Sequence, residues 1–489
     1  MEYNFAFELD RLERRGFLTT ASGLALGSSL LGVSQQSALS DEPPANRQAT
    51  GVKVGEVTET SAIVWMRVTA SANRNEEGVL LGRREALPEN RRIDQLRGAC
   101  PGARGRVRLR YGLNQNFDRA QSTDWVEVTA RTDYSHQFRL ENLRADSTYY
   151  YAAETSGPNG RPMHASVLGR FMTGVPATSR QNVTFTVVTG QAYRDLDDRA
   201  GFHIYPAMQR LNPRFIVPTG DTVYYDNDLV LANTKELARH HWHRMYSLPR
   251  LLEFHRRVPG YWMKDDHDLY YNDCYPGMRV GRMRPLTFND GLGLFREQVP
   301  MGQKTYRTIR WGRSLQIWLV EGRDFRSANT APDGPNKTIW GAEQKAWLKR
   351  TLLASNAKFK VLISPTPIVG PDRGNKRDNH ANRAFLTEGN EIRAWFQDNL
   401  PERFVILCGD RHWQYHSIHP ETFVHEFSCG PASDRHAGGS PGRERCYHRF
   451  HRVGGGFLSA STVQRGADDH LILKFHNVQG RTVYQYQIQ

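Results

Sequence analysis

Short runs of β-prone residues alternate with polar turns between about residues 50 and 175. Val, Tyr and Phe fill these runs, and turn residues follow each run at regular spacing. Several short strands spaced in this way predict an all-β sandwich. A Gly- and Arg-rich stretch at 82–105 interrupts the pattern and is interpreted as a long insertion in a loop. The predicted strands cover residues 52–57, 62–68, 106–111, 125–130 and 136–140.

After residue 176, apolar runs typical of strands alternate with helical segments. Strands that alternate with helices predict an α/β region, which we place at residues 180–489. The last stretch, 471–489, returns to polar–apolar alternation and predicts a β-hairpin that closes a sheet. The other predicted strands cover 183–188, 215–218, 315–320, 359–364 and 403–408, and the predicted helices cover 204–211, 341–353 and 388–399.

Two details of the predicted sandwich at 50–175 are similar to immunoglobulin or fibronectin III-like modules. Leu143 precedes a tight polar turn and an aromatic strand, and Trp65 lies on an early strand. We therefore expect an all-β immunoglobulin/fibronectin III-like domain ahead of the α/β domain.

Residues 1–40 have the three-part layout of a secretory signal. Arg14 and Arg15 precede Phe17 and Leu18, and an apolar stretch and a polar segment follow. An arginine pair in this place is typical of a twin-arginine signal. The apolar stretch is too short to span a bilayer, and no other segment approaches about eighteen apolar residues. We expect a periplasmic or secreted protein that meets the twin-arginine translocase during export and makes no stable membrane insertion.

The chain is basic, with a formal net charge of +14, and only 11 of its 65 basic residues are lysine. Arginine binds phosphate oxygens in a bidentate manner, although a GC-rich genome would also raise the arginine content. A basic surface attracts anionic substrates and binds nucleic acid without specificity, so no specific nucleic-acid reader is expected. The five cysteines are widely spaced and odd in number, which argues against a disulfide framework and leaves one bridge open.

Three polar clusters occur where predicted strands end, which is where α/β folds bind ligands. Their carboxylate, imidazole and phenol groups could bind two or more hard or borderline metal ions. Each cluster alone would also suit an ordinary turn or a solvated loop, so the order and joint occurrence of the three carry the prediction. The clusters are Asp221 with Tyr224, residues 265–268 with Asn272, and Asp410 with His412.

The order of these clusters resembles that of calcineurin-like metallophosphoesterases, and their details resemble the alkaline phosphatase D (PhoD-like) branch. Gly-Asp-x-x-Tyr, Asp-Asp-His, Arg-x-x-Arg and Gly-Asp-x-His all occur in the expected order. The resemblance implies an α/β fold with four layers, α/β/β/α. The implied metal ligands are Asp221, Tyr224, Asp266, Asn272, Asp410 and His412, and the implied catalytic residues are His267, Arg323 and Arg326.

The roles of the catalytic residues stay open at this point. His267 could bind a metal, donate a proton to the leaving group or orient a carboxylate. Arg323 and Arg326 could hold the substrate or fix the site, and a structural salt bridge is an equal alternative.

The sequence departs from the family at Gly190. The family's first metal ligand is a cysteine there, and glycine has no side chain to bind a metal. The resemblance therefore implies Ca²⁺, whereas Fe³⁺, which the phenolate of Tyr224 would favour, is in doubt. Gln191 or Asp195 could supply an oxygen ligand instead, and Cys274 is a weaker alternative.

These observations predict an exported, metal-dependent phosphoesterase that uses activated water. Its partners would be small phosphate esters or phosphodiester-containing polymers. One alternative is a catalytically impaired relative that binds phosphate-rich or acidic polymers, and another is a hydrolase of a different anionic ester such as a sulfate. The sequence contains no serine elbow and no Gly-rich phosphate loop, which disfavours covalent catalysis and binding of nucleoside triphosphates.

Overall fold

A computed structural model describes residues 45–400, 402–466 and 468–489. The predicted signal segment at 1–40 lies outside these residues, so the twin-arginine assignment stays a prediction. Within the described ranges, no helix is long and apolar enough to cross a membrane.

The N-terminal region is a sandwich of two antiparallel sheets. One sheet has the order β1-β2-β6, and the other has the order β4-β3-β7-β8 with β5 paired to β3. Apolar side chains from both sheets form a separate core that includes Val64, Leu109, Tyr151 and Phe171. The all-β fold is as predicted, and the boundaries at residues 175 and 180 stay predictions. The strands are β1 Lys53–Gly55, β2 Ala62–Arg67, β3 Gly105–Gly112, β4 Gln121–Ser122, β5 Val126–Val128, β6 Ser135–Leu140, β7 Thr148–Ser156 and β8 Val167–Met172.

Trp65 lies outside the sandwich core. Side chains alternate between the two faces of a strand, so Val64 and Met66 of β2 point into the sandwich and Trp65 points away from it. The indole Nε1 of Trp65 donates a hydrogen bond to the carbonyl oxygen of Glu297 at 2.8 Å, and Nζ of Lys53 lies 3.5 Å from the ring centroid. Trp65 therefore joins the sandwich to the C-terminal region.

The C-terminal region contains two mixed sheets that pack face to face. The orders are β10-β9-β18-β19-β20 and β11-β12-β13-β14-β16-β15-β17. The strands are β9 Thr184–Val188, β10 Phe215–Pro218, β11 Arg307–Trp311, β12 Leu315–Leu319, β13 Phe359–Ser364, β14 Phe404–Cys408, β15 Gln414–Ile418, β16 His425–Cys429, β17 His448–Arg452, β18 Gly456–Arg465, β19 Asp468–Asn477 and β20 Thr482–Ile488.

Helices cover both outer faces of these sheets. Leu319, Val361 and Leu473 belong to the apolar core between the sheets, whereas Trp318 and Leu362 pack against helices on the outer face of the second sheet. Together the layers form the predicted α/β/β/α sandwich. The helices are α1 Ile204–Arg210, α2 Lys235–Tyr246, α3 Pro249–His255, α4 Phe288–Gln298, α5 Gly341–Ala354 and α6 Leu386–Asn399.

The predicted insertion at 82–105 is mostly irregular and packs on the C-terminal region. The carbonyl oxygen of Gly82 accepts a hydrogen bond from the backbone N–H of Val230 at 3.1 Å. The side chain of Arg83 donates to Asn227 Oδ1 at 2.8 Å, and Leu96 is buried in the core of the C-terminal region. The N-terminal region therefore reaches the loops that follow β10.

Candidate metal centre at the strand ends

Four strand ends from the two facing sheets meet at one edge of the C-terminal region. Thr189 follows β9, Thr219 follows β10, Pro365 follows β13 and Gly409 follows β14. A Cβ atom at Gly409 would lie 2.3 Å from Thr219 Oγ1, and 2.9 Å from both Thr189 Oγ1 and the carbonyl oxygen of Pro365. Only glycine allows this close approach, which brings the loops that follow all four strands together.

Asp221 lies at the centre of this convergence. Its backbone adopts a left-handed conformation with φ of 54°, which aspartate tolerates better than most residues. The side chain is buried, and one carboxylate oxygen, Oδ2, accepts a hydrogen bond from the hydroxyl of Tyr224 at 3.1 Å. The other oxygen, Oδ1, has no hydrogen-bond partner among the described residues. A buried carboxylate oxygen without a partner is costly unless a cation binds it.

Asp266 and His267 approach Asp221 from the segment that follows α3. One ligand atom from each of the three side chains lies within 4.8 Å of the other two. The Nδ1 atom of His267 pairs with Asp226 Oδ1 at 2.6 Å, so Nε2 is the nitrogen left for a metal ion or a substrate. The carboxylate thereby fixes the orientation of the imidazole.

Tyr224 connects this group to two further histidines. Its hydroxyl oxygen lies 3.4 Å from His412 Nε2 and 2.8 Å from His436 Nε2. The Nε2 atom of His412 is also 4.0 Å from Asp221 Oδ2. The side chain of His412 is 29% exposed, whereas Tyr224 is 1% exposed. The cluster thus opens to solvent on the side of His412.

Burial and neighbouring charges shift the pKa of each of these groups. Burial, with the nearby carboxylate of Asp266, raises the pKa of Asp221 well above its usual range. Burial and the carboxylate of Asp221 raise the pKa of Tyr224 in the same way. Burial, with the imidazole of His436, lowers the pKa of His412 well below its usual value. Without a cation, these groups therefore favour their uncharged forms.

His267 is shifted in the opposite direction. Burial lowers its pKa, but the carboxylates of Asp226 and Asp266 outweigh burial and hold the pKa well above its usual value. His267 therefore carries a proton at neutral pH when no metal ion is bound, which suits a proton donor.

These residues fit a bound metal ion. Carboxylate, phenol and imidazole groups are the ligands that iron, zinc and related ions use in proteins, and the partnerless oxygen of Asp221 points to a cation. The sequence matches the model of "PhoD-like phosphatase" over residues 185–454 and that of "PhoD-like phosphatase, N-terminal domain" over residues 34–175. The chain belongs to the PhoD-like phosphatase family. It is a hydrolase of phosphoric ester bonds.

Two solved structures have a fold similar to that of this chain. A structure of PhoD has 16% identity and a TM-score of 0.68, with 91% of this chain and 94% of that chain covered. Purple acid phosphatase PPD1 from seeds of yellow lupin (Lupinus luteus) has 12% identity and a TM-score of 0.60, with 90% of this chain and 74% of that chain covered. At these identities the likeness shows the fold alone. No curated protein matches the sequence.

Of the nine site residues predicted from the sequence, the structure brings five together: Asp221, Tyr224, Asp266, His267 and His412. Asp410 follows β14 and has a left-handed backbone with φ of 61°, and its carboxylate contacts the guanidinium of Arg411. Asn272 is exposed, and its backbone N–H donates to Asp226. For all of these predicted site residues, including Asp410 and Asn272, metal binding stays a prediction.

The two predicted catalytic arginines are buried beside the cluster. Arg323 is fully buried, and its Nε donates to Asp265 Oδ1 at 2.5 Å, while its Nη2 lies 3.8 Å from Asp266 Oδ1. Arg326 donates to the carbonyl oxygen of Asp378. The contacts of Arg323 favour a role in fixing the acidic side chains. Nε and Nη1 of Arg326 have no hydrogen-bond partner among the described residues, so the role of Arg326 stays a prediction.

His436 is the member of the cluster that sequence reasoning missed. It ends a 3₁₀ helix, Asp434–His436, in the loop after β16, and its Nδ1 pairs with Asp195 Oδ2 at 2.7 Å. Asp195 was considered as a direct ligand, but in the structure its carboxylate orients His436. The sequence signal for His436 is only a histidine in a polar loop after a strand.

A cavity of about 440 Å³ adjoins the cluster. The N-terminal region contributes Arg74 and Arg97 to its wall, and the C-terminal region contributes Tyr193, Arg194 and Arg435. The guanidinium carbon of Arg194 lies 5.8 Å from the centroid of the Tyr224 ring, so this part of the cavity wall is next to the cluster. Arginine side chains of this wall can bind phosphate oxygens, although the wall also contains the carboxylates of Glu76, Asp197 and Asp198.

Proposed function

We propose that the protein is an exported, metal-dependent phosphoesterase that hydrolyses phosphomonoesters, phosphodiesters or both by attack of water. The observation that carries the proposal is the buried, partnerless oxygen of Asp221 within a group of phenol, imidazole and carboxylate side chains. Asp221, Tyr224, Asp266 and His412 would hold metal. A bound metal ion would supply Lewis acidity, which makes water acidic and offsets charge on the phosphoryl group.

Side chains of the protein would donate a proton, position the acidic groups and bind the phosphate oxygens. Protonated His267, oriented by Asp226, would give its Nε2 proton to the leaving oxygen. Arg323 would keep Asp265 and Asp266 in place through its buried contacts. Arg194, on the wall of the adjoining cavity, would hold phosphate oxygens of the incoming ester.

The convergence of carboxylate, phenol and imidazole groups favours hydrolysis over the alternative of an impaired relative that only binds acidic polymers. The test is hydrolysis of p-nitrophenyl phosphate and bis-p-nitrophenyl phosphate by the full chain with Ca²⁺, Fe³⁺, Mn²⁺ or Zn²⁺. We expect at least one metal to support turnover, and Asp221→Asn to abolish it. Asp398→Asn, on the exposed side of α6, is the matched control and should retain the rate. Binding of polyphosphate without turnover under any metal would reject the proposal.

Export is proposed from the arginine pair at 14–15. Replacing Arg14 and Arg15 by lysine should leave active protein in the cytoplasm. Normal export of the double variant would reject the twin-arginine route.

A further inference from the structure

The space beside Gly190 is occupied by His436. Gly190 has a left-handed backbone with φ of 61°. A Cβ atom on it would lie 3.3 Å from His436 Cδ2 and 3.2 Å from Pro431 Cβ. The backbone oxygen of Gly190 also accepts a hydrogen bond from the N–H of Ala432 at 3.3 Å. The loop that carries His436 is therefore packed directly against position 190.

Contacts with residues 195–197 help to fix the 3₁₀ helix that presents His436. Ser433 donates to Asp197 Oδ1 at 2.8 Å, Arg435 donates to the carbonyl oxygen of Leu196 at 2.6 Å, and His436 pairs with Asp195 at 2.7 Å. The last contact uses Nδ1, which leaves Nε2 pointing at the hydroxyl of Tyr224. A carboxylate that holds one imidazole nitrogen while the other faces a metal is a common arrangement in metalloproteins.

The spacing of the possible ligand atoms fits a single ion. Ligands about 2.0–2.1 Å from one metal ion lie about 3 to 3.4 Å apart in tetrahedral and similar geometries. The hydroxyl oxygen of Tyr224 is 2.8 Å from His436 Nε2, 3.1 Å from Asp221 Oδ2 and 3.4 Å from His412 Nε2. The rings of His412 and His436 are 4.1 Å apart between centroids. Both imidazoles therefore border the same small volume.

We propose that His436, oriented by Asp195, is a ligand of the metal site together with Asp221, Tyr224 and His412. Its imidazole takes the coordination position for which Gly190 has no side chain. Two nitrogen and two oxygen ligands select a transition metal such as Zn²⁺ or iron over Ca²⁺, which prefers six to eight oxygens. This inference rests on the proposed metal-dependent function and names the metal class of that site.

The test measures Zn²⁺ binding to the metal-free full chain by titration calorimetry and Co²⁺ binding by visible absorption. His436→Gln should weaken Zn²⁺ binding at least tenfold and change the Co²⁺ spectrum, because a nitrogen ligand is lost. Asp195→Asn should weaken binding about 10- to 100-fold, since it removes only the orienting carboxylate. The matched control is His243→Gln, another buried histidine paired with an aspartate, Asp133 at 2.5 Å, which should bind Zn²⁺ like the wild type.

The outcomes separate this inference from the proposed function. Melting of each variant in EDTA identifies any that fail to fold, and Asp195→Asn provides a second perturbation of the same ligand that keeps the imidazole. If His436→Gln and Asp195→Asn both bind Zn²⁺ like the wild type while Asp221→Asn does not, His436 is only a structural partner of Tyr224 and the inference is wrong. If Asp221→Asn also binds Zn²⁺ normally, the proposed metal site itself is wrong.

Discussion

Asp133 should be one of the most costly residues to change outside the metal centre. It lies in the sandwich, and its carboxylate reaches the C-terminal region. Oδ2 accepts from His243 Nε2 at 2.5 Å and from Gln298 Nε2 at 2.8 Å, and Oδ1 accepts from Arg67 at 3.2 Å. The carboxylate and the guanidinium are only 6% and 2% exposed. We predict that Asp133→Asn strongly destabilises the protein.

The size of the loss in unfolding free energy depends on the buried groups that lose their partner in Asp133→Asn. An asparagine side chain keeps one acceptor oxygen and turns an amide N–H₂ toward two groups that are themselves donors. The guanidinium of Arg67 stays buried without its counter-charge. Breaking a buried ion pair by removing one partner typically costs about 3–5 kcal/mol. We expect a loss in the free energy of unfolding within that range.

The pH dependence has a defined sign. Burial would raise the pKa of Asp133, but His243 and Arg67 outweigh burial and hold that pKa below its usual range. A carboxylate with a depressed pKa stabilises the fold above its unfolded pKa of about 3.9, and this contribution is lost as the pH falls below that value. The difference between wild type and Asp133→Asn should therefore stay constant from pH 8 to 5 and narrow below about pH 4.

The assay is guanidinium-induced unfolding of both proteins, followed by fluorescence and circular dichroism. Glu141→Gln is the control, because Glu141 forms an exposed pair with Arg139 at 2.8 Å and exposed pairs contribute less than about 1 kcal/mol. Equal unfolding midpoints for Asp133→Asn and Glu141→Gln would refute the reasoning.

Three other outcomes are expected. Asp221→Asn should raise the melting temperature of the metal-free protein, because it removes a buried carboxylate whose pKa is raised by burial. Scanning calorimetry should then show no additional increase in the melting temperature when Zn²⁺ is added. An increase as large as that of the wild type would contradict this. Asp226→Asn should lower the pKa of His267, so the alkaline limb of the pH–rate profile should move to lower pH, and an unmoved limb would exclude His267 as the proton donor. Cys446 is the exposed cysteine and the other four are buried, so a thiol reagent should modify one thiol per native chain and none in Cys446→Ser.

The sequence predicted those elements whose hydrophobic pattern is local. Strands β9, β10, β13 and β14 are continuous apolar runs, and each was placed within one or two residues of its observed bounds. Helix α2 was missed because its buried positions include His240, His241, His243 and Arg244. These polar side chains hide the apolar periodicity by which an amphipathic helix is recognised, and their burial depends on partners elsewhere in the chain.

Within the candidate site, too, residues that are close in the sequence were predicted and a distant one was missed. Asp221 and Tyr224 are three residues apart on one loop, so a short motif contains both. His436 comes from a distant loop, and only the packing of that loop against Gly190 brings it to Tyr224. Trp65 lies on an early strand, as predicted, but its contact with Glu297 outside the sandwich could not be read from its neighbours in the sequence.

The insertion at 82–105 and the shared cavity limit how the chain can be divided. A fragment beginning at residue 180 would lose Leu96 from its core and Arg74 and Arg97 from the cavity wall. Exchanging the N-terminal region between family members would therefore change the surface that an ester meets beside the metal centre. In protein engineering the two regions should therefore be kept together, and directed evolution of substrate preference should include positions from both.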